Sequence, residues 1–142
     1  MNDQNAHPLS GAEIMSQFVP SSPFNKLLGF KIAEIQPGMA TLALPFTEDL
    51  VTAGTIVHGG AIASLIDVAA AVAAWSDAEV PANLRGVTVN LTVTYLAAAN
   101  QEDLLATAHV LRRGRSLVYL DVDVRGSTGQ AVARGLVTYK IG

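Results

Sequence analysis

The stretch from Gly54 to Trp75 constrains the fold of this chain more than any other segment, because it joins a glycine-rich start to a long apolar run. From Ala61 to Trp75 only Ser64 and Asp67 are polar, and the run contains neither glycine nor proline. Good helix formers that directly follow a glycine pair predict a helix over this run. Because this helix is apolar on every side, we expect it to be buried.

Burial of the helix would place Asp67 in an unfavourable environment. An ionised carboxylate that is removed from water is costly unless it is paired or hydrogen-bonded. Asp67 therefore has two interpretations. It is either an internal anchor, hydrogen-bonded to nearby backbone or to Thr88, or a carboxylate that the helix holds in a dry place for chemistry.

The composition predicts a soluble, cytoplasmic protein with one sizeable core. Of the 142 residues, 50% are hydrophobic and 15% are charged, which disfavours disorder except at the ends, and residues 1–9 are expected to form a flexible tail. The formal charge of -3 gives no basic surface for nucleic acid. The absence of cysteine excludes disulfides, thiolate metal sites and a cysteine nucleophile. No signal peptide is expected, because the first residues have neither a basic start nor an apolar run. No membrane partner is expected, because a central Asp67 would be costly in a bilayer.

Short helices are predicted before the central helix. Ser10 and Glu13 have the spacing of a capping box and predict a helix from residue 11 to about residue 18. The Pro20–Pro23 segment is expected to end that helix, and one further helical turn is predicted over Phe24–Leu28, before Gly29.

The remaining segments carry strand patterns. Alternating runs on both sides of the Gln36-Pro-Gly-Met turn predict a hairpin over residues 30–45, and residues 47–55 are expected to form a polar loop. After a connector over residues 76–86, strands are predicted over 87–96, 104–111, 117–124 and 131–141. The first of these alternates strictly, so one of its sides is expected to face water or a partner. The order of elements indicates a single α+β domain, residues 1–142, in which a curved antiparallel sheet wraps around one long central helix.

The start of the central helix is a candidate site for an anion or an oxyanion. A helix that begins at His58-Gly59-Gly60 exposes unpaired backbone N–H groups at its positive end. Glycine allows a ligand to approach the backbone closely, because no side chain intervenes. The alternative interpretation is that the glycine pair only lets the helix start tightly against the sheet.

A reach argument connects this site to Asp67. Asp67 lies eight residues beyond Gly59, which is about 12 Å along a helix axis at about 1.5 Å per residue. A carboxylate and an oxyanion donor that act on one carbonyl must both lie about 3 Å from the reacting atoms. One helix cannot supply both groups to one substrate, whereas two antiparallel copies can. If Asp67 and Gly59 act together, the protein is at least a homodimer.

The histidines add little chemistry. His58 projects about 180° away from Asp67 around an ideal helix, so a Ser-His-Asp arrangement with Ser64 fails on geometry. We interpret His58 mainly as a residue that braces the loop and the helix start, with a catalytic role as the alternative. His7 and His109 are isolated, and no spacing typical of metal ligands occurs, so no metal site is predicted.

The spacing Gly54-x-x-x-His58-Gly59-Gly60-x-x-x-x-Leu65-x-Asp67, followed by the 87–96 strand, resembles the hotdog-fold acyl-CoA thioesterases of the phenylacetic-acid-pathway (PaaI) type. The resemblance covers roughly residues 30–141. It implies that the Gly59 N–H polarises the thioester carbonyl and that Asp67 of the neighbouring subunit acts as nucleophile or general base. It also implies that Thr88 positions this carboxylate or its water, and that dimers pair into homotetramers.

Thr52 departs from the family pattern. The family usually carries Asn or Gln six residues before the histidine, and a threonine hydroxyl is shorter and makes fewer hydrogen bonds than an amide. This departure suggests a slow enzyme or a different substrate preference. We expect Thr52, Gly60 and Ser64 to lie at the substrate. Arg85, Arg113 and Arg115 are either contacts for the coenzyme A phosphates or ordinary solvated charges.

The sequence therefore predicts a thioester hydrolase that acts on medium-chain or aromatic acyl-CoA, with coenzyme A as part of the substrate and no separate cofactor. Two other functions remain open. One is a non-catalytic acyl-CoA-binding protein of the same fold, which the Thr52 departure favours. The other is a hotdog hydratase for enoyl or hydroxyacyl thioesters, against which the opposed directions of His58 and Asp67 argue.

Overall fold

The computed structural model describes residues 8–80 and 84–142, so most of the predicted tail and part of the predicted connector, residues 1–7 and 81–83, lie outside the described residues. Two short helices come first, followed by a hairpin, a small ribbon, the long helix and a four-strand meander. In chain order the elements are α1 (Gly11–Ser21), α2 (Pro23–Leu28), β1 (Lys31–Gln36), β2 (Met39–Leu44), a 3₁₀ turn (Glu48–Leu50), β3 (Val51–Ala53), β4 (Ile56–Val57), α3 (Gly59–Ser76), β5 (Gly86–Tyr95), β6 (Leu104–Arg113), β7 (Leu117–Arg125) and β8 (Ala131–Ile141).

The larger sheet of the described chain confirms the predicted α+β architecture. Its six antiparallel strands run in the order β1-β2-β6-β7-β8-β5, and α3 packs against all six. Strands β3 and β4 form a separate two-stranded ribbon. Because β5 lies at one end of the strand order, one of its edges has no neighbouring strand in the described chain.

The central helix is buried on most of its surface, although not on every side as the sequence suggests. Its fully buried residues are mainly small and aliphatic: Leu65, Ile66, Ala69, Ala70, Val72, Ala73 and Ala74. A half-buried stripe at helical spacing runs along the opposite side: Ala63, Ser64, Asp67, Val68 and Ala71. By length and mean hydropathy α3 could span a membrane, but 56% of it is buried in the fold, as in the core helix of a soluble protein. Asp67 therefore lies on the one side of α3 that the sheet leaves accessible.

The N-terminal helices follow the sequence closely. The capping box is present, with the Ser10 hydroxyl accepting from the Glu13 N–H at 3.2 Å and the Glu13 carboxylate accepting from the Ser10 N–H at 2.7 Å. Helix α1 ends at Ser21, inside the Pro20–Pro23 segment that the sequence predicts to end it and three residues beyond the predicted residue 18. A proline in the last turn removes only one helical N–H donor, and the Ser22 N–H closes the helix on a carbonyl of that turn. The predicted second turn is α2, which Gly29 ends in the left-handed region, at a φ of 82°.

The segment 47–55, predicted as a polar loop, contains the 3₁₀ turn and part of the β3–β4 ribbon. The ribbon turns at Gly54, which has a φ of 58°, and it is attached to the loop before β6 by the Val57 N–H, which donates to the Ala99 carbonyl at 2.9 Å. Strands of two and three residues are too short to produce a recognisable alternation, so the sequence gives no strand signal here.

A β-bulge interrupts the predicted alternation of β5. Thr88 pairs with Tyr139 and Asn90 pairs with Thr138, which leaves Val89 as the extra residue. Thr88 therefore faces α3 before the bulge, and Val93 faces the core after it. The strict alternation that the sequence predicts for this strand is therefore interrupted, and Val87 and Val89 are 58% and 56% exposed. A bulge of this kind redirects the side chains that follow it.

Gly11 provides a direct test of how closely α1 packs on α3. A Cβ atom at Gly11 would lie 1.8 Å from the carbonyl oxygen of Trp75, a backbone atom that cannot rotate away. We expect Gly11→Ala to lower the free energy of unfolding by about 1–3 kcal/mol in urea titrations, because α1 must shift to relieve the overlap. Gln17→Ala, at an exposed position of the same helix, is the control and should change stability by less than about 0.5 kcal/mol. Equal stability of the two variants would contradict the packing.

Candidate active site

The first turn of α3 has a single backbone donor without an acceptor. His58 caps the helix, because its Nδ1 atom accepts from the Gly60 N–H at 2.7 Å. The His58 carbonyl accepts from the N–H groups of Ala61 and Ile62 at 3.0 and 3.2 Å. Among the described residues no acceptor meets the Gly59 N–H. This N–H therefore remains available at the positive end of an 18-residue helix.

The role of His58 follows from this geometry. Because Nδ1 accepts from the Gly60 N–H, this nitrogen is engaged in the helix cap and is not free to contact a substrate. The contact is the bracing role that the sequence favours for His58. A direct catalytic part for this residue stays a prediction.

Asp67 is held by one hydrogen bond from the sheet. The Thr88 hydroxyl donates to Asp67 Oδ1 at 2.6 Å, and no other described residue hydrogen-bonds to this carboxylate. The bond itself is compatible with both interpretations of Asp67. A purely structural anchor, however, is normally buried and fully hydrogen-bonded, whereas Asp67 is half-buried with Oδ2 unbound.

Tyr139 lies on the sheet near Asp67. Burial raises the pKa of the Tyr139 hydroxyl, a hydrogen bond from Trp75 Nε1 at 3.0 Å partly offsets this, and the negative charge of Asp67 raises the pKa further. Tyr139 therefore remains a neutral phenol at physiological pH and adds no charge beside the carboxylate.

Within one chain, the two principal catalytic candidates, the Gly59 N–H and the Asp67 carboxylate, lie far apart. Gly59 is the first residue of α3 and Asp67 lies two turns further along, at about 12 Å by helical rise. The Thr88 hydroxyl is hydrogen-bonded to Asp67, and His58 is hydrogen-bonded to the Gly60 N–H. Within one chain, however, the Gly59 N–H and the Asp67 carboxylate are too far apart to contact the same substrate atom.

A cavity of about 250 Å³ opens beside the helix start. His58, Gly60 and Ser64 contribute to its wall, and the Ser64 hydroxyl itself donates to the Gly60 carbonyl at 2.8 Å. The remaining lining is mainly apolar: Phe24, Leu28, Asp49, Leu50, Val51 and Ala61. Thr52 is exposed on β3, one residue after the lining residue Val51, and is not itself among the residues that line the cavity. Two of the predicted substrate residues, Gly60 and Ser64, thus lie in the wall of one cavity, and the third, Thr52, follows a lining residue in the chain.

The arginines lie toward the other end of the helix. Arg113 donates to the Ala74 carbonyl at 2.9 Å and pairs with Asp77, so it neutralises the negative C-terminal end of α3. Arg115 lies on open grooves at the β6–β7 turn, and Arg85 lies in another groove beside the last strand. Ala74 is fifteen residues from Gly59, or about 22 Å along the helix. A role in binding phosphates stays a prediction for all three, and Arg113 is the least available.

Tyr95 is a residue of this site that the sequence analysis missed. Its hydroxyl donates to the Gly59 carbonyl at 2.6 Å, and its ring contacts Gly59. Strict alternation along β5 would place Tyr95 and Thr88 on opposite faces, because they are seven residues apart. Only the bulge at Val89 brings both to the side of the helix. No sequence pattern announces that bulge.

Comparison with known proteins identifies the family. The model of the family described as "Thioesterase superfamily" matches residues 54–133, which is more than half of the chain. The human protein named acyl-coenzyme A thioesterase 13 is 29% identical over 133 residues, covering 92% of this chain and 93% of the relative. The medium/long-chain acyl-CoA thioesterase YigI of Escherichia coli is 31% identical over 138 residues, covering 88% and 89%.

A solved structure shares the fold. The PaaI protein of the Escherichia coli phenylacetic acid degradation operon superposes with a TM-score of 0.77 over 86% of both chains, at 24% sequence identity. These similarities confirm the resemblance, the fold and the enzyme class, thioester hydrolase, that the sequence predicts. The chain belongs to the thioesterase superfamily.

Proposed function

We propose that this protein hydrolyses acyl-CoA thioesters at a site shared between two copies of the chain. The observation that carries the proposal is the Gly59 N–H, for which residues 8–80 and 84–142 provide no acceptor, at the start of the helix that also holds Asp67 about 12 Å away. Each group is suited to a different part of one reaction, and neither can reach the other within its own chain. The names of the curated relatives support acyl-CoA as the substrate class.

The Gly59 N–H receives the charge that develops on the thioester oxygen. As a nucleophile attacks the carbonyl carbon, the oxygen becomes an oxyanion, and a fixed N–H at a helix N-terminus stabilises it. The other first-turn N–H groups already have acceptors, so the helix presents one donor at one point. Glycine at this position leaves the carbonyl oxygen free to approach.

Asp67 of the second subunit acts on the opposite side of the carbonyl. Thr88 holds Oδ1, which leaves Oδ2 free to accept a proton from water. The water oxygen bonds to the carbonyl carbon and one of its protons moves to Asp67. The C–S bond then breaks, and the proton passes from Asp67 to the leaving sulfur, which releases a carboxylic acid and the thiol of coenzyme A and restores the carboxylate. Direct attack by Oδ2 uses the same geometry and forms an anhydride that water then hydrolyses.

The edge of the sheet supports the assembly of two copies. Strand β5 has no neighbour on its outer edge in the described chain, and its Val87 and Val89 side chains are exposed. An unpaired edge with apolar side chains favours pairing with another strand. Antiparallel pairing of two β5 strands across a two-fold axis would set the two α3 helices antiparallel, with Gly59 of one beside Asp67 of the other. Further pairing into a tetramer and a cytoplasmic location remain predictions.

The cavity beside the helix start supports an apolar acyl group. Its lining combines Phe24, Leu28 and Leu50 with the His58–Gly60 turn, so an acyl chain inserted there would keep its carbonyl close to the Gly59 N–H. We therefore retain medium-chain or aromatic acyl groups as the preferred substrates. Arg115 and Arg85 are the candidates to contact the phosphates of coenzyme A, with Arg113 as a weaker third.

One rival function keeps specific support. Thr52 is exposed one residue after the lining residue Val51, and it stands where the family usually has an amide that holds water or substrate, so a non-catalytic acyl-CoA-binding protein is the second candidate. A hydratase fits the geometry less well, because His58 Nδ1 is occupied by the helix cap.

The first test measures thiol release from a panel of acyl-CoA substrates. We expect the wild-type chain to hydrolyse medium-chain or aromatic substrates, and Asp67→Asn to lower kcat/KM by at least about 100-fold, because the carboxylate no longer takes a proton. Glu48→Gln, at an exposed carboxylate outside the site, is the control and should match wild type. Tight acyl-CoA binding without turnover would favour the binding protein, and equal rates for Asp67→Asn and wild type would remove the mechanism.

The Thr88 contact gives a second prediction. Thr88→Val keeps the shape of the side chain but removes the donor to Asp67, so we expect kcat to fall about tenfold, the equivalent of about 1.4 kcal/mol. Thr88→Ser should retain most of the activity. Thr92→Val, on the outer face of the same strand, serves as the control. A Thr88→Val enzyme as fast as wild type would show that Asp67 needs no support from β5.

Subunit mixing tests the shared site. Gly59→Pro removes the N–H at a helix position where proline is tolerated, and we expect it to be inactive, as Asp67→Asn is. Equal mixing after refolding makes half of the dimers hybrid, each with one intact site, so about a quarter of the wild-type activity should return. Failure of the mixture to exceed its parents, with hybrid dimers verified by mass spectrometry, would contradict a site built from two chains.

A further inference from the structure

We infer that Tyr95 is a positioning residue that fixes the turn carrying the oxyanion donor. Its hydroxyl donates to the Gly59 carbonyl at 2.6 Å. The aromatic ring covers the same residue, because a Cβ atom on Gly59 would lie 3.2 Å from Tyr95 Cζ and 3.3 Å from its Oη. The catalytic consequence of this contact rests on the proposed function, whereas the contact itself does not.

The peptide that joins Gly59 and Gly60 is held at both ends. Its carbonyl accepts from Tyr95, and its N–H donates to His58 Nδ1 at 2.7 Å. This peptide follows directly after the one that contains the Gly59 N–H. The two peptides share the Gly59 Cα atom, so fixing the second peptide limits how far the first, and with it the Gly59 N–H, can turn away from a bound carbonyl.

We call the hydrogen bonds from Tyr95 and to His58 that hold the Gly59–Gly60 peptide the clamp. The sequence at this turn explains why such a clamp is needed. Two successive glycines are the most flexible start that a helix can have, and glycine costs about 1 kcal/mol relative to alanine within a helix. Neither glycine has a side chain that could pack and hold the turn. An oxyanion donor stabilises a transition state best when it is already fixed in direction before the charge develops. Tyr95 and His58 supply from outside the rigidity that Gly59 and Gly60 lack.

Strand β5 thereby positions both reacting groups, the Asp67 carboxylate and the turn that carries the Gly59 N–H. Thr88 near its start holds Asp67, and Tyr95 at its end holds Gly59, because β5 and α3 run in opposite directions. The extra residue Val89 is what places Thr88 and Tyr95 on the same face. One strand therefore sets the distance between the carboxylate and the oxyanion donor along each helix.

The kinetic test uses Tyr95→Phe, which keeps the ring and removes only the hydroxyl. We expect kcat for the best acyl-CoA substrate to fall about tenfold, with KM changed by less than about twofold, because the donor acts mainly as charge develops in the transition state. Tyr119→Phe is the matched control, since Tyr119 lies on β7 with its ring partly exposed and should keep the wild-type kcat. A Tyr95→Phe enzyme with wild-type kcat would overturn the inference.

A second measurement is independent of activity. Amide hydrogen exchange followed by NMR should show the Gly60 N–H exchanging about tenfold faster in Tyr95→Phe than in wild type, while amides of β8 keep their rates. Tyr119→Phe should leave Gly60 unchanged. Unchanged exchange at Gly60 in Tyr95→Phe would overturn the clamp, whatever the kinetics. If wild type hydrolyses no acyl-CoA, the proposed function fails, and this exchange result alone decides whether Tyr95 fixes the turn.

Discussion

The packing of α3 against the inner face of the six-stranded sheet is the interaction on which the rest of the structure depends. Alanine and aliphatic side chains fill the side of the helix that faces the strands, so the backbone of the helix lies close to the sheet. This packing leaves only one stripe of the helix accessible, and Asp67 lies on it. The same packing brings the first turn against β5, where Tyr95 reaches the Gly59 carbonyl.

Rigidity and length together define what such a helix can do. A donor at its first residue and a carboxylate two turns later are held at a fixed separation of about 12 Å, which excludes their joint action within one chain. Under the proposed function, symmetry turns this separation into an advantage, because two antiparallel helices present each donor to the carboxylate of the other. His58 caps the N-terminal end of the helix, and Arg113 donates to a carbonyl near its C-terminal end.

Much of this architecture follows from the sequence alone. The apolar run from Ala61 to Trp75, the Ser10 capping box and the alternating strands predict the elements, because each depends on local patterns. What escaped prediction depends on single irregularities and on contacts between distant residues. The extra residue Val89 moves Tyr95 to the face of Thr88, and the accessible stripe of α3 exists because the sheet curves around only part of the helix. Neither has a local signal, so the clamp on Gly59 could be seen only in three dimensions.

The central claim is that one thioester meets groups from two chains, and a crystal structure of Asp67→Asn with an uncleaved acyl-CoA tests it most directly. The carbonyl oxygen should lie about 3 Å from the Gly59 nitrogen of one subunit, with the substituted position 67 of the other subunit on the opposite side of the carbonyl carbon. A thioester bound by residues of a single chain, or one whose carbonyl lies far from Gly59, would contradict the shared site.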